Sequence, residues 1–160
     1  MQMELDMPDK SPLLKISQAT EMTEELYQAI QRLIPQLTSN NPPPTRQELA
    51  LMLSSGSSTL YLARHGGYGD EIIGLATLIL HRVPTGMRAY IEDVVVDERA
   101  RGRRIGEALT QACLVQAEAA GASQVMLTSN PGRVAANRLY QRMGFELRKT
   151  NVYRYGFKRG

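Results

Sequence analysis

The 160-residue sequence contains one cysteine, two histidines, two phenylalanines and no tryptophan. The single thiol, Cys113, forms no intrachain disulfide, and with two histidines it supplies too few ligands for a zinc site. This shortage excludes the disulfide-stapled and zinc-finger classes. It predicts a protein of a reducing compartment, the cytoplasm, that holds no metal.

Long apolar runs are also absent. The longest, Ile72 to Leu80, is interrupted by Gly74 and Thr77, whereas a membrane span needs about 20 apolar residues. The first 12 residues carry acids where a signal peptide needs a basic segment followed by an apolar one. We therefore expect no membrane partner, a disordered tail over residues 1–12 and a single domain over residues 13–160.

Positive charge is modest in total but unevenly placed. The net charge is +3, yet four arginines fall within six residues, at positions 99, 101, 103 and 104. Such a cluster is typical of either a solvated helix end or an anion site. Nucleic acid is not expected as a partner, because aromatic residues are few and no helix-turn-helix pattern is present.

Hydrophobic spacing predicts strands and helices in mixed order. The predicted strands are Leu14–Gln18, Ser58–Arg64, Glu71–Arg82, Arg88–Val96, Gln124–Thr128 and Phe145–Phe157. The predicted helices are Thr20–Ile34, Thr45–Leu53, Gly102–Ala120 and Arg133–Met143. Pro35 is expected to end the first helix, and Val94, Val95 and Val96 are expected to be buried on both faces. The pattern predicts an α/β (α+β) fold, a mixed sheet flanked by helices.

The stretch from Asp93 to Gly106 is the most informative. A strand leads into a glycine-containing turn, and the turn opens into a helix whose first amides lack intrahelical partners. Such amides bind phosphate oxygens well, and Gly102 and Gly106 allow close approach. The stretch matches neither a Walker P-loop nor a GxGxxG dinucleotide motif.

Two segments resemble the GNAT superfamily of acyl-CoA-dependent N-acetyltransferases. Arg101–Gly106 is similar to its phosphate motif, Gln/Arg-x-x-Gly-x-Gly/Ala, except that Arg104 stands where glycine is commonest. Ala135–Phe145 is similar to a later segment with Asn, a Tyr three residues on, and a closing Gly-Phe. The resemblance implies a mostly antiparallel sheet with a splayed pair of parallel strands, and acetyl-CoA as co-substrate.

The resemblance also implies binding roles. Acetyl-CoA would lie where the strands ending at Val96 and Thr128 diverge, with Asn137 near its pantetheine arm. The backbone of three strand residues would pair with that arm: Val94, Val95 and Val96. Six turn residues would hold the pyrophosphate: Arg101, Gly102, Arg103, Arg104, Ile105 and Gly106. Thr128 and Asn130 would line the acceptor pocket, although Asn130 also suits an ordinary turn.

Acetyl transfer to a primary amine needs a free amine, which costs roughly 4 kcal/mol at neutral pH. Glu92 is our candidate for the general base or for the anchor of a water relay. In a regular strand its side chain would lie on the same face as those of Val94 and Val96. Asp93 is the second candidate, as base, loop anchor or binder of an ammonium group. Exposed carboxylates or a salt bridge to Arg88 remain alternatives.

Tyr140 matches the family position of the acid that protonates the leaving thiolate. A packed aromatic with its hydroxyl at the rim remains the alternative role. Direct attack in a ternary complex is favoured over acetylation of Cys113, which lies in a helix interior. A non-catalytic acyl-CoA-binding or regulatory domain is the alternative function. The short, apolar C-terminus predicts a homodimer, with exchanged terminal strands as one form of it.

Overall fold

The computed structural model describes residues 13–158, so the expected tail over residues 1–12 lies outside the described residues. Within the described range, the backbone divides into two compact units, the first ending at Thr128 and the second beginning at Ser129. No helix in the described range is long and apolar enough to cross a membrane.

The first unit contains five strands and three α-helices in the range that the structure describes. These are β1 (Leu14–Gln18), α1 (Glu24–Leu37), α2 (Arg46–Ser54), β2 (Ser58–His65), β3 (Ile72–Val83), β4 (Gly86–Val96), α3 (Ile105–Ala119) and β5 (Val125–Met126). The strands form one sheet in the order β1-β2-β3-β4-β5. All neighbours are antiparallel except β4 and β5, which are parallel. The predicted mixed, mostly antiparallel sheet with one parallel pair is confirmed.

The first helix extends further than its sequence suggests. Thr23 caps α1 by accepting a hydrogen bond from the Leu26 amide, and Pro35 lies inside the helix rather than ending it. Proline removes one backbone donor, and so near the C-terminal end it costs a single intrahelical bond. The prediction that Pro35 stops this helix was wrong. The predicted capping box of Thr45 and Glu48 at the start of α2 is present.

Helices cover both faces of the sheet. On one face, α1 and α2 pack against apolar side chains of the strands, and the buried cluster is Leu26, Ala29, Ile30, Leu33, Leu49, Leu60, Leu62, Ile72, Leu75 and Val95. On the other face, α3 approaches Gly74 so closely that an added Cβ would stand 3.1 Å from Leu109 Cδ1 and 3.4 Å from Ile105 Cγ2. Gly74 therefore fixes how near α3 lies to β3.

An irregularity in β4 changes which side chains share a face. Thr77 pairs with Glu92 and Leu75 with Val95, so that Asp93 and Val94 together oppose the single residue Ala76. This is a β-bulge, and Asp93 has a φ of 54°. Glu92 consequently shares a face with Val95, not with Val94 and Val96. The prediction that Glu92 shares a face with Val94 and Val96, which was our reason for favouring it, was therefore wrong.

The second unit is smaller. It contains α4 (Val134–Arg142), which Gly144 follows with a φ of 91°. Residues 145–158 form no helix or strand in the structure, so the strand predicted over Phe145–Phe157 is not present. The last strand of the first unit is also shorter than predicted, because β5 pairs over Val125–Met126 alone.

Candidate functional site

The parallel pair β4 and β5 separates before β4 ends. Their register consists of Ala89 with Val125 and Tyr90 with Met126. The strand β4 continues to Val96, so its residues from Ile91 onward have a paired strand on one side only within the described chain. We call this gap beside Ile91–Val96 the fork. An extended ligand could hydrogen-bond to backbone groups there, as an added strand does.

The three valines beside the fork are less buried than predicted. Val95 is buried among the α1 side chains, whereas Val94 and Val96 are half-buried. Burial on both faces requires elements packed against each face of the strand, and of the three valines only Val95 belongs to the buried cluster. Val95 can therefore offer a ligand its backbone alone, because its side chain belongs to the core.

The chain leaves β4 through a turn built on Asp97. Its side chain is 2% exposed and accepts hydrogen bonds from two guanidinium groups, those of Arg32 at 3.3 Å and Arg99 at 2.8 Å. It also accepts the Arg99 backbone amide at 3.1 Å. These donors, Arg99 foremost, lower the pKa of Asp97 from 3.8 to about 2. Asp97 is therefore a charged anchor at ordinary pH.

Other elements hold the same turn. The Gln36 side chain on α1 accepts the Glu98 amide at 2.8 Å, and the Tyr68 hydroxyl donates to the Arg99 carbonyl at 2.8 Å. The Asp97 amide donates to the carbonyl of Ile73 at the start of β3. Three separate parts of the unit thus fix the backbone just before Arg101. We call residues 97–104 the anchored turn.

The anchored turn ends at the N-terminus of α3. Arg104 is the N-cap residue, has a left-handed φ of 59°, and makes no side-chain capping bond. Gly102 is also left-handed, with a φ of 77°, and a Cβ added there would meet no heavy atom within 4 Å. The helix therefore begins at Ile105, three residues later than predicted, and its first amides are not capped by a side chain.

Each arginine of the turn has a local partner. Arg101 Nε donates to the Val96 carbonyl at 3.3 Å, and the Arg103 guanidinium lies 5.4 Å from the centre of the Tyr68 ring. Arg104 forms an ion pair with Glu107 at 2.6 Å. All three side chains are exposed, so the surface at the start of α3 is positively charged. Ile105 is buried and can offer only its backbone.

The two predicted catalytic carboxylates lie at the bulge. Glu92 and Asp93 are both exposed to solvent. Partial burial of the carboxyl group, followed by the negative charge of Asp93, raises the pKa of Glu92. The two carboxylates are therefore close enough to interact. Arg88, the alternative ion-pair partner, instead donates to Thr85 at 2.7 Å.

Two predicted residues of the second unit are hydrogen-bonded to each other. Asn137 Nδ2 donates to the Asn130 carbonyl at 2.9 Å, and Asn130 Oδ1 accepts the Gly132 amide at 2.8 Å. The first bond ties α4 to the loop before it. The second is the local turn bond that we had considered for Asn130. Thr128, the last residue of the first unit, is exposed after β5.

Tyr140 is buried on α4. Its ring packs edge-to-face with Phe145 at 5.7 Å between centroids, and its carbonyl accepts the Phe145 amide. The packed role that we had kept as an alternative is thus present within this unit. This packing of the ring is compatible with a chemical role for the Tyr140 hydroxyl.

Cys113 on α3 has no exposed surface, and burial raises its pKa to about 12. A thiol of this kind is a poor nucleophile, because the thiolate is the reactive form. Residues 13–158 contain no group of three or more His, Cys, Asp or Glu side chains placed to hold a metal ion.

Comparison with known protein families identifies the family of this chain. The model of the "Acetyltransferase (GNAT) family" matches residues 23–145, more than half of the chain. The chain belongs to the GNAT family. The predicted family and the predicted enzyme class are therefore confirmed.

Individual GNAT relatives are distant. A mycothiol acetyltransferase of Renibacterium salmoninarum is 36% identical over 78 residues, which are 48% of this chain and 23% of that protein. The chain thus spans about a quarter of the length of this curated relative.

Solved structures show the same fold. An aminoglycoside acetyltransferase from an uncultured soil sample, crystallised with trehalose, superposes with a TM-score of 0.79 at 20% identity, covering 92% of this chain and 97% of that one. Glucosamine-6-phosphate N-acetyltransferase of Arabidopsis thaliana gives 0.73 at 20% identity, covering 89% and 97%. An acetyltransferase of Trypanosoma brucei gives 0.70 at 23% identity, covering 89% and 99%.

The sequence analysis did not identify two polar residues, Asp97 and Ser129. Asp97 follows the valine run, and nothing in its immediate neighbours marks it as buried. Ser129 follows β5 and has a buried hydroxyl oxygen without a hydrogen-bond partner among the described residues. A buried orphan hydroxyl in a native structure is uncommon and needs a partner. Neither residue carries a motif, so only the structure identifies them.

Proposed function

We propose that this GNAT protein transfers an acetyl group from acetyl-CoA to a primary amine of a small molecule or peptide. The observation that carries the proposal is the fork beside β4, followed by the anchored turn and the uncapped start of α3. An extended pantetheine amide chain needs backbone partners along its length, and a pyrophosphate needs several amides at one point. The fork can supply the backbone partners for the pantetheine chain, and the start of α3 can supply the amides for the pyrophosphate.

The backbone of Val94, Val95 and Val96 supplies the partners for the pantetheine arm in this proposal. The amides between Arg101 and Gly106 receive the pyrophosphate, where the helix dipole adds favourable potential. The exposed arginines of the turn add positive charge without needing to move. From the family resemblance, we propose that Asn137 contacts the pantetheine arm.

Glu92 serves as the general base or as the anchor of a water relay. Partial burial and the neighbouring Asp93 raise the pKa of Glu92, which makes its carboxylate a stronger proton acceptor than that of an ordinary glutamate. Asp93 lies close enough to share the task of holding a cationic acceptor. The amine nitrogen then attacks the thioester carbonyl, the C–N bond forms and the C–S bond breaks.

Tyr140 donates the proton that the departing thiolate takes up. Tyr140 is buried on α4, and the packing of its ring against Phe145 restricts the movement of its hydroxyl. Direct transfer in a ternary complex is favoured, because Cys113 is buried and its pKa is raised. Thr128 and Asn130 are proposed to contact the acceptor.

Calorimetry and CoA release test the proposal together. Acetyl-CoA is expected to bind, and CoA is expected to be released only when an accepted amine is present. Glu92→Gln should lower kcat by about 10²- to 10⁴-fold, the range of general acid–base catalysis, with little change in acetyl-CoA binding. Tyr140→Phe should behave likewise. Glu118→Gln, an exposed carboxylate near the C-terminal end of α3, is the matched control and should leave turnover unchanged.

Failure of acetyl-CoA to bind at low salt would remove the proposed activity. Binding without CoA release across a broad panel of amines would instead favour the alternative function, a non-catalytic acyl-CoA-binding domain. The panel should include aminoglycosides, amino sugars, polyamines and peptide amines. The first two classes appear in the names of structurally similar proteins.

We also propose a homodimer in the cytoplasm, without metal, membrane or nucleic-acid partners. The buried free thiol of Cys113 suits a reducing compartment. Light scattering and cell fractionation test the assembly and the location.

A further inference from the structure

The β3–β4 hairpin carries an aromatic surface next to Glu92. Its register places six side chains on one face of the sheet, namely Thr77 with Glu92, Ile79 with Tyr90, and His81 with Arg88. This is the face on which α1 and α2 pack, because Leu60 of the buried cluster pairs with Thr77. Tyr90 and His81 nevertheless remain exposed. We infer that Tyr90 binds the ring of an acceptor in which a short alkyl chain joins a single amine to a planar aromatic ring.

The Tyr90 ring has one face free for such a ligand. His81 stacks on this ring, with 6.0 Å between the ring centroids and 13° between the ring planes. Because His81 pairs with Arg88, it lies on the side of Tyr90 away from Glu92. The other face of the Tyr90 ring is therefore turned toward Glu92.

The spacing along β4 suits a ring followed by a short chain. Positions 90 and 92 of a strand are about 6.6 Å apart. A flat ring in contact with Tyr90 lies about 3.5–4 Å from it. A chain of two or three bonds then brings the nitrogen of the ligand to the Glu92 carboxylate. The acceptor class thus rests on the proposed acetyl transfer, in which Glu92 receives the proton of the amine.

Apolar side chains flank Tyr90 across the sheet. Ile79 lies opposite Tyr90 on β3 and Met126 lies opposite it on β5, and both are half-buried. Their side chains offer no strong hydrogen-bond partner to the hydroxyl groups of a sugar, whereas an aromatic ring packs well against aliphatic carbon and thioether sulfur. The flanks therefore favour an aromatic ring over a sugar ring.

The charges along the hairpin favour a single amine. The carboxylates of Glu92 and Asp93 lie at one end of the aromatic surface, and Arg88 lies two positions beyond Tyr90 at the other. The Arg88 guanidinium donates to Thr85 and forms no ion pair within residues 13–158. A second ammonium group beyond the ring would meet this positive charge, which disfavours polyamines and aminoglycosides.

A panel of amines tests the acceptor class. CoA release is followed with 2-phenylethylamine, 2-cyclohexylethylamine, glucosamine, spermidine and an aminoglycoside. The highest kcat/KM is expected for 2-phenylethylamine. A higher value for glucosamine, spermidine or the aminoglycoside overturns the inference.

Tyr90→Leu tests the ring contact, because leucine keeps an apolar side chain and removes the aromatic one. It should lower kcat/KM for 2-phenylethylamine by about 2- to 12-fold, the equivalent of the 0.5–1.5 kcal/mol of an aromatic pair. The value for 2-cyclohexylethylamine, whose ring is not flat, should change less than twofold. Tyr90→Phe should behave as wild type, and so should Tyr155→Ser, an exposed tyrosine outside the hairpin. Equal losses for both amines, or no loss for either, overturn the inference.

Binding measured by ligand-observed NMR separates the acceptor class from the proposed reaction. With CoA present, the Kd of 2-phenylethylamine should rise by about 2- to 12-fold in Tyr90→Leu. This rise without CoA release from any amine keeps the aromatic site and removes acetyl transfer. Turnover of other amines without binding of 2-phenylethylamine keeps acetyl transfer and overturns the aromatic site. If Tyr90→Leu fails to fold, the same two amines are compared in His81→Ala, which should weaken 2-phenylethylamine alone, and equal effects on both amines overturn the inference.

Discussion

The anchored turn and residues 145–158, which we call the arm, differ in the partners that their side chains have. In the turn, one buried carboxylate, that of Asp97, holds two guanidinium groups and a backbone amide, and three other parts of the unit hold the neighbouring backbone. In the arm, five large apolar side chains face water. The turn has its partners within the same unit, whereas the arm lacks them there.

The difference indicates what each region needs for its function. A site for a diphosphate works best when its amides already point at the ligand, because no ordering cost is then paid on binding. In the anchored turn, side chains and backbone groups of the same unit already hold the backbone. The arm has no such bonds to hold its large apolar side chains, which are exposed.

Removing the anchor gives the largest expected effect in this comparison. Asp97→Ala leaves two guanidinium groups without their buried partner and should lower the free energy of unfolding by about 3 kcal/mol. Urea denaturation measures this change. The control Glu24→Ala removes an exposed ion pair with Arg46 and should cost much less than Asp97→Ala. Equal effects of the two substitutions would contradict the role of Asp97.

Acid should weaken the turn at a defined pH. The pKa of Asp97 is lowered in the folded chain, so protonation favours unfolding. The stabilisation, about 2 kcal/mol, is fully present above about pH 4 and is lost as the pH falls toward about 2. Urea midpoints across this range measure it. In Asp97→Asn this component of the pH dependence should vanish, and an unchanged slope would contradict the assignment.

Arg104, the residue of the turn that has a side chain and a left-handed φ, gives the next prediction. Arg104→Gly relieves a φ of 59° that costs a side-chain-bearing residue about 1 kcal/mol, and it loses an exposed pair with Glu107 that contributes less. We expect a stability gain of roughly 0.5–1 kcal/mol by thermal or urea unfolding. Arg103→Gly, at a position without positive φ, should give no gain. A gain at both positions would point to charge rather than backbone conformation.

A single change in the arm should have the smallest effect on the folded monomer. Tyr155→Ser removes an exposed side chain whose ring contact is with Phe157, so the free energy of unfolding should change by less than about 0.5 kcal/mol. Unfolding is followed at high dilution, where association is absent. A loss larger than this would show that the arm packs on its own chain.

Much of the fold followed from local patterns. The boundaries of β1 were predicted to the residue, and the capping box of Thr45 and Glu48 marked the start of α2. These features depend on neighbouring residues alone. The course of α1 past Pro35 was missed because proline usually ends a helix, whereas here Gln36 and Leu37 remain helical after it.

The parts of the site that escaped prediction depend on distant partners. The bulge at Asp93 exists because two residues of β4 oppose Ala76 on another strand, and no spacing within β4 reveals that. Asp97 also binds Arg32, which α1 brings to it from a distant part of the sequence. The strand predicted after Phe145 failed for a related reason, since strand-forming residues need a neighbouring strand.

The buried thiol of Cys113 has a practical consequence. It is the sole cysteine of the sequence, has no exposed surface, and its pKa is raised to about 12. A cysteine introduced on the surface would therefore be the one thiol that reacts quickly with maleimide dyes. Fluorophores could be attached at chosen positions in the natural background, which makes single-molecule measurements of this chain straightforward.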